Sequence, residues 1–431
     1  MNKSSGGMLI RSVAPQTHSV SSFQLPAAKI ISFSSGAQLH VLKGVNQPVI
    51  KFEIVFKAGK IYEDKRGVSY LAAKMLLEGN KNYTSKQIAD KVAFYGASLE
   101  CNQGFDRASL TLYCLSKHFF NILPLIVDVV SHPTIPETEL DLLKKRTIQN
   151  IAIEKEKNSS LATTLLTKNI YGEHHPYVAG QDESDINAIT RSDIQAFISH
   201  SYLIQEAVYF LTGDVWQEHE DKISASFDQV RSGSSLTDIS IVKNPSPEIY
   251  SFLEKPEKLQ SSIRVGTSWP LMEHADYPKL ALLNKILGGY FGSRLMNNIR
   301  EDKGFTYGIF SALSPKEVDT LFYIGTDVNY QNTDETIQEI NKEIKRLQEE
   351  LISEEELETV KTYTVGKFIN ETSTIFDQAD KYKTIVLRNF SANYYSQYIQ
   401  VLQNTSATDI INLAGDYLNL SKLNYIVVGK K

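Results

Sequence analysis

The chain has 431 residues, 42% hydrophobic and 22% charged, with a formal net charge of −5 and a pI near 6.0. That length is too great for one core and points to two or three domains. The composition excludes a disordered chain, and the charge excludes the basic footprint of a nucleic-acid partner. No apolar run approaches the ~18 residues of a membrane span. The opening stretch MNKSSGGMLIRSV has no continuous apolar segment of the kind a secretory signal needs. The expected location is the cytoplasm, with the periplasm open if a leader is missing. The two cysteines, Cys101 and Cys114, show no zinc-type spacing. They lie on the arms of one expected hairpin, where Cys101 would stand near Ala108 and Cys114 far up the ladder, so no disulfide joins them.

Residues 1–25 are polar and read as a loose arm. Short strands follow at Lys29–Phe33, Gln38–Lys43 and Ile50–Lys57, then a helix of the buried kind at Gly67–Leu77, with Val68, Leu71, Ala72, Met75 and Leu76 round most of its circumference. Thr84 with Gln87 three residues on is a capping-box signature for a helix ending near Tyr95. Ser98–Asn102 and Ala108–Leu115 alternate as a hairpin. Helices are expected from Ser116 to Val130, from Glu137 to Asn158 and from Ser160 to Tyr171. The loop Gly172–Tyr177 follows, with the adjacent His174 and His175, then a helix from Thr190 and a strand at Ala207–Thr212. Adjacent loop histidines do not converge on one metal without partners, so both read as structural.

Residues 231–248, RSGSSLTDISIVKNPSPE, are rich in Ser and Pro without a period and read as a linker. After them the order of elements recurs: a strand at Ile263–Ser268, a helix at Tyr277–Leu287, a hairpin at Thr306–Leu313 with Leu321–Val328, and a helix at Asp334–Leu351. Ile135–Leu140 (IPETEL) lines up with Ile352–Leu357 (ISEEEL), each opening a long helix. The expected fold is therefore α+β: two homologous repeats, 26–230 and 249–431, each an antiparallel-rich sheet packed with several helices. Two unrelated α+β domains are the plainer alternative.

The stretch 288–307, GGYFGSRLMNNIREDKGFTY, has a glycine-rich lead-in, a helix at Ser293–Asp302 with Leu295, Met296 and Ile299 on one apolar face, and a break at Gly304. Arg300 sits in the last turn and Tyr307 just past the break, so two hydrogen-bond donors share a corner that suits a carbonyl or carboxylate. The ordinary reading of the same residues is an Arg favoured at a helix C-terminus and a core Tyr.

On Gly67–Gly79, the His175-Pro176-Tyr177 loop, Ile189–Asp193, Leu211–Val215 and above all Ser293–Leu295 with Arg300–Tyr307, the chain resembles the pitrilysin/insulinase family of zinc peptidases, the inverzincins. The resemblance implies a half-clamshell of two repeats. Active members carry H-x-x-E-H on the first of these helices, two His for zinc and a Glu base, with a further Glu ligand on a later helix. Here the metal positions hold Tyr70 and Lys74 and the base position holds Ala73, while the later ligand would fall near Asn150–Ala152, where Glu154 and Glu156 are the nearest carboxylates. The resemblance thus implies a chain without a metal or a catalytic residue of its own. Its Arg300/Tyr307 pair matches the pair by which the second domain holds substrate. In two-chain members one chain carries zinc and its homologous partner carries this pair. The implied role is a non-catalytic, peptide-binding subunit of a heterodimeric zinc metallopeptidase. A structural or assembly subunit of a larger complex is the second reading, and a lone peptidase with another metal site is the third.

Overall fold

The computed structural model describes residues 23–44, 47–228 and 241–430. Most of the expected arm and residues 231–240 of the expected linker lie outside the described residues. Two sheets organise the chain. The first holds β1 (Lys29–Ser32), β2 (Gln38–Lys43), β3 (Val49–Phe56), β4 (Ser98–Gln103), β5 (Ala108–Leu115) and β6 (Val208–Gly213), in the order β1-β2-β6-β3-β5-β4. The second holds β7 (Tyr250–Glu254), β8 (Gln260–Trp269), β9 (Ile309–Pro315), β10 (Thr320–Asn329) and β11 (Asn424–Gly429), in the order β7-β11-β8-β10-β9.

Apart from β1 the two orders match strand for strand. In each, the last strand in sequence slots between the first two, parallel to one and antiparallel to the other. The expected repeat is present. Even the strand ends agree: β6 and β11 finish in Gly213 and Gly429, where an added Cβ would lie 2.1 Å from the Val49 carbonyl oxygen and 2.2 Å from Ser261 Oγ. The β4–β5 hairpin closes between Gln103 and Ala108, so Cys101 faces Leu110 rather than Ala108, and Cys114 faces Ile50 on β3. Both thiols are buried and free.

The first repeat carries α1 (Val68–Met75), α2 (Ser85–Phe94), α3 (Phe119–Ser131), α4 (Glu137–Lys155), α5 (Asn158–Tyr171), α6 (Glu183–Ala188), α7 (Arg191–Ser201) and α8 (Gln217–Phe227). The second carries α9 (Tyr277–Gly288), α10 (Thr333–Glu349), α11 (Glu354–Asn370), α12 (Ile375–Leu387), α13 (Tyr394–Asn404) and α14 (Ala407–Tyr417). The helix expected to run unbroken to Asn158 turns at Glu156–Lys157, where Lys157 leaves helical geometry. The Glu154 carboxylate ties the corner by accepting from Lys157 Nζ (2.6 Å) and the Ser160 hydroxyl (2.5 Å).

Each strand repeat packs one face on its own helices. On β3, Ile50, Phe52, Ile54 and Phe56 enter the first core, and on β8, Ile263 and Val265 enter the second. The opposite faces are covered by exchange. α5 of the first repeat lies on the second sheet, where Ala162, Leu166 and Ile170 pack with Leu321, Ile426 and Val428. α12 of the second repeat lies on the first sheet, with Asp380 2.7 Å from Lys51 Nζ, Lys383 Nζ 2.8 Å from Glu53, and the Tyr382 hydroxyl 2.9 Å from His40 Nδ1. α5 and α12 each follow the helix opened by the matching Ile135 and Ile352 segments. Burial on both faces is why β3 is almost wholly buried although Lys51 and Glu53 alternate with its apolar residues.

Candidate functional site: a cleft without zinc ligands and an exposed Arg/Tyr corner

α1 starts behind Gly67, whose φ of +93° suits glycine, and is driven into the first core by Val68, Leu71, Ala72 and Met75. Tyr70 and Lys74, four residues apart, share a face. Tyr70 is half-buried on the wall of a cleft of about 760 Å³, and α4 brings Asn150, Ile151 and Glu154 to the same wall. The structure brings Tyr70 and the α4 residues Asn150, Ile151 and Glu154 to one cleft, whose lining includes neither Ala73 nor Lys74 and no histidine. Lys74 donates from Nζ to the Cys101 carbonyl and to Asn102 Oδ1, both at 3.3 Å. Both of its partners are neutral acceptors, and an ammonium offers a metal no lone pair. Ala73 is fully buried in the core and has no proton acceptor. Glu154 is occupied by Lys157 and Ser160, which hold its carboxyl below the ordinary range. These residues do not fit a catalytic zinc. Among the described residues no group of three or more His, Cys, Asp or Glu side chains is arranged to hold a metal ion.

His175 is buried, stacked 4.9 Å from the Tyr171 ring, and its Nδ1 accepts from the Tyr177 backbone N–H at 3.0 Å. Burial pushes it down to about 4, so it is a neutral, structural imidazole near pH 7. His174 is exposed in the same loop. The loop has a second use that its sequence did not disclose. The Tyr177 hydroxyl donates to Asp106 in the β4–β5 turn and accepts the Val318 N–H (3.3 Å) from the β9–β10 turn. Lys316, in that same turn, places Nζ 5.1 Å from the Phe105 ring centre, 5.2 Å from Tyr177 and 5.8 Å from Tyr171. Burial brings this ammonium down to about 8. Three segments far apart in sequence meet here to join the repeats, and local periodicity carries no trace of it.

The second candidate lies after α9. The expected helix at Ser293–Asp302 forms, with Leu295, Met296 and Ile299 buried as expected, but from Met296 to Asp302 it winds as a π-helix. The Lys303 N–H reaches back five residues to the Asn298 carbonyl at 3.1 Å. Such turns recur at functional positions. Arg300, on this turn, is part-exposed, its guanidinium 4.8 Å from the Phe291 ring centre and 3.5 Å from Glu301 Oε1. Gly304 reverses the chain with φ +66°. Tyr307 is not a core residue: it is 95% exposed, because the strand begins only at Ile309 and its residue stands on the tip before it. The tip itself is braced. The Thr306 hydroxyl donates to the Asp327 carbonyl (2.8 Å) and accepts the Gly308 N–H (3.1 Å), and the Thr326 hydroxyl donates to the Gly308 carbonyl (3.0 Å). Among the described residues the Tyr307 hydroxyl has no partner. Tyr70, Ala73 and Lys74 thus share one helix of the first repeat, while Arg300 and Tyr307 flank one turn of the second.

Residues 42–177 match the family profile described as insulinase (peptidase family M16), and residues 188–363 match the one described as peptidase M16 inactive domain. Among curated relatives, an uncharacterized zinc protease YmxG of Bacillus subtilis is 24% identical over 309 residues, 70% of this chain and 74% of the relative. The Helicobacter pylori protein called non-peptidase homolog YmxG is 20% identical over 89% of this chain and 90% of its own. Among solved structures, a peptidase M16 inactive domain from Pseudomonas fluorescens superposes with a TM-score of 0.85 at 25% identity, covering 94% of this chain and 98% of that one. A Helicobacter pylori structure described as a protease gives 0.84 at 18% identity, over 94% of this chain and all of that one, a likeness of fold. With paired repeats that match these two profiles in turn, the chain belongs to the insulinase (M16) peptidase family.

Proposed function

We propose that this chain is the non-catalytic, substrate-holding subunit of a two-chain zinc peptidase, paired with a homologous chain that carries the zinc. The observation that carries the reading is Tyr307, 95% exposed at the end of a hydrogen-bonded tip with its hydroxyl unpartnered among the described residues, seven positions after an Arg300 that stays part-exposed. A rigid tip that presents an aromatic ring and a free donor to solvent gains nothing for the isolated chain, and exposed aromatics with Arg are what binding surfaces use. The guanidinium fork and the phenol both donate to oxygen, which suits the carbonyls of an extended peptide. A relative named a non-peptidase homolog supports the inactive half of the reading, and the lysine, alanine and tyrosine at the motif positions supply its chemical reason.

The purified chain is expected to hold no stoichiometric zinc and to leave peptides intact. Elemental analysis and a fluorogenic peptide assay on the lone chain check this. One zinc per chain bound below micromolar, with hydrolysis, overturns the reading.

A further inference from the structure

The cleft beside α1 is lined by Tyr70 together with residues of α4 and α5. Its volume of about 760 Å³ falls in the ~300–1,000 Å³ range of ligand pockets. Lys60, Arg66, Lys155, Lys168 and Arg264 bring five cations to its wall, against the carboxylates of Glu154 and Asp182. In a chain of net charge −5 that excess is local. Most of these charges are already matched. Lys155 holds Asp182 at 2.8 Å, Lys168 holds Glu173 at 3.0 Å, and Glu154 belongs to Lys157. Arg264 spends its donors on the Thr163 hydroxyl and the Ile263 and Thr326 carbonyls, with Asp327 3.6 Å away.

Lys60 and Arg66 are different. Lys60 is 7% exposed, and its Nζ donates to the Val178 carbonyl (2.7 Å) and the Gly180 carbonyl (3.3 Å), leaving one ammonium proton. Arg66 donates to the same Gly180 carbonyl at 2.9 Å. Two cations therefore converge on one neutral oxygen. Among the described residues no carboxylate pairs with Lys60, and Arg66 has one long ion pair, to Asp185. Glu63 is taken by the Ser69 hydroxyl (2.5 Å) and N–H (3.1 Å), and Asp185 stands 3.8 Å from Arg66 Nε while accepting the Asp182 N–H. Burial, with Arg66 adding to it, lowers Lys60 to about 8 despite the attraction of Glu63. Like charges held together in a partly dry site are stabilised by an anion between them. The same cleft is lined by the apolar Ile151, Leu161 and Leu165 and by the hydroxyl-bearing Ser159 and Thr164. That mixture fits a short peptide better than a bare inorganic ion.

We propose that the cleft beside Tyr70 is a peptide-carboxylate subsite, with Lys60 and Arg66 seating the carboxylate and the helical wall of α4 and α5 holding the residues before it. The proposal rests on the peptide-holding reading above and extends it to a second place on the same chain. A C-terminal carboxylate and a Glu or Asp side chain share this chemistry, and the test separates them.

The test is fluorescence anisotropy on the full-length chain, without any partner, using fluorescein-labelled Ala-Ser-Ala-Leu-Ala. One probe has a free C-terminus, one is amidated, and one is amidated with Glu in place of Leu. Charge-assisted hydrogen bonds correspond to about a tenfold to hundredfold loss when the carboxylate is removed, so the free acid is expected to bind that much more tightly than the amide. Recovery of binding by the Glu-containing amide assigns the seat to side-chain carboxylates, and failure to recover assigns it to chain ends; either supports the carboxylate subsite. In Arg66→Gln, a half-buried position that tolerates a neutral side chain better than Lys60, acid and amide are expected to bind alike, with the melting temperature close to wild type. Equal binding of acid and amide by the wild-type chain overturns the proposal, as does no binding of any probe or an Arg66→Gln chain that keeps the preference. Because no cleavage is read, such a failure leaves the role of Arg300 and Tyr307 standing.

Discussion

In the reconstituted two-chain enzyme, Arg300→Ala and Tyr307→Phe are each expected to slow peptide cleavage while the complex stays assembled. Loss of one donor aimed at developing charge costs about 10²–10³ in rate in oxyanion-type sites. The reason is differential binding: a donor directed at the substrate backbone is felt most as charge builds on the attacked carbonyl. The arginine change is expected to cost more, since it removes a charged group able to make two parallel hydrogen bonds. It also removes the cation over Phe291. Tyr307→Phe deletes only a hydroxyl that has no partner among the described residues, so a loss there cannot come from the fold of this chain. Melting temperatures of both variants should stay near wild type. Unchanged cleavage in both, with assembly intact, makes the corner structural and favours a scaffold role.

The second large effect is a failure. Restoring the motif letters with Tyr70→His, Ala73→Glu and Lys74→His is expected to give no efficient hydrolysis and a markedly less stable chain. Ala73 is fully buried among apolar neighbours. An uncompensated buried charge costs about 3–5 kcal/mol. Removing Lys74 also frees the Cys101 carbonyl that its ammonium now satisfies. A catalytic zinc takes three protein ligands, and the later helix offers Asn150 and Ile151 to the cleft, with Glu154 held by Lys157 and Ser160. Peptide assays with added zinc and thermal melts read both halves of the expectation. Brisk hydrolysis by the triple variant would mean that the cleft can still assemble a metal site.

The repeat was legible because each copy spells its elements locally: the capping box at Thr84–Gln87, the β4–β5 hairpin, and the paired IPETEL and ISEEEL helix openings. What escaped was non-local. β7 follows a Ser/Pro-rich stretch and acquires its strand character by pairing with β11, where Tyr250 meets Tyr425, 175 residues further on (425 − 250). α12 shows no stripe that names its target, because its partners on the first sheet are the charged Lys51 and Glu53 and the polar His40. The joint of Tyr177, Asp106 and Lys316 is likewise built from three distant turns. At the candidate sites, residue type alone carries the expectation of no catalytic zinc, since no fold turns Ala73 into a base. The environment of Tyr307 was not legible. An aromatic beside a β-branched run reads as core, and only the start of β9 two residues later leaves it outside. The π winding around Arg300 was equally hidden, because its buried residues fit an α-helical period as well.

The central claim is that this chain holds substrate for a zinc-bearing homologue. Its most direct test is to affinity-purify the full-length chain from its native cell, identify what elutes with it, and assay the eluate for zinc and peptide hydrolysis, in parallel with Arg300→Ala. The account predicts an M16 homologue with an intact H-x-x-E-H co-eluting in comparable amount, hydrolysis that needs both chains, and loss of that hydrolysis in the variant at unchanged composition. A chain that elutes without such a homologue, or an eluate whose hydrolysis is indifferent to Arg300, would contradict it.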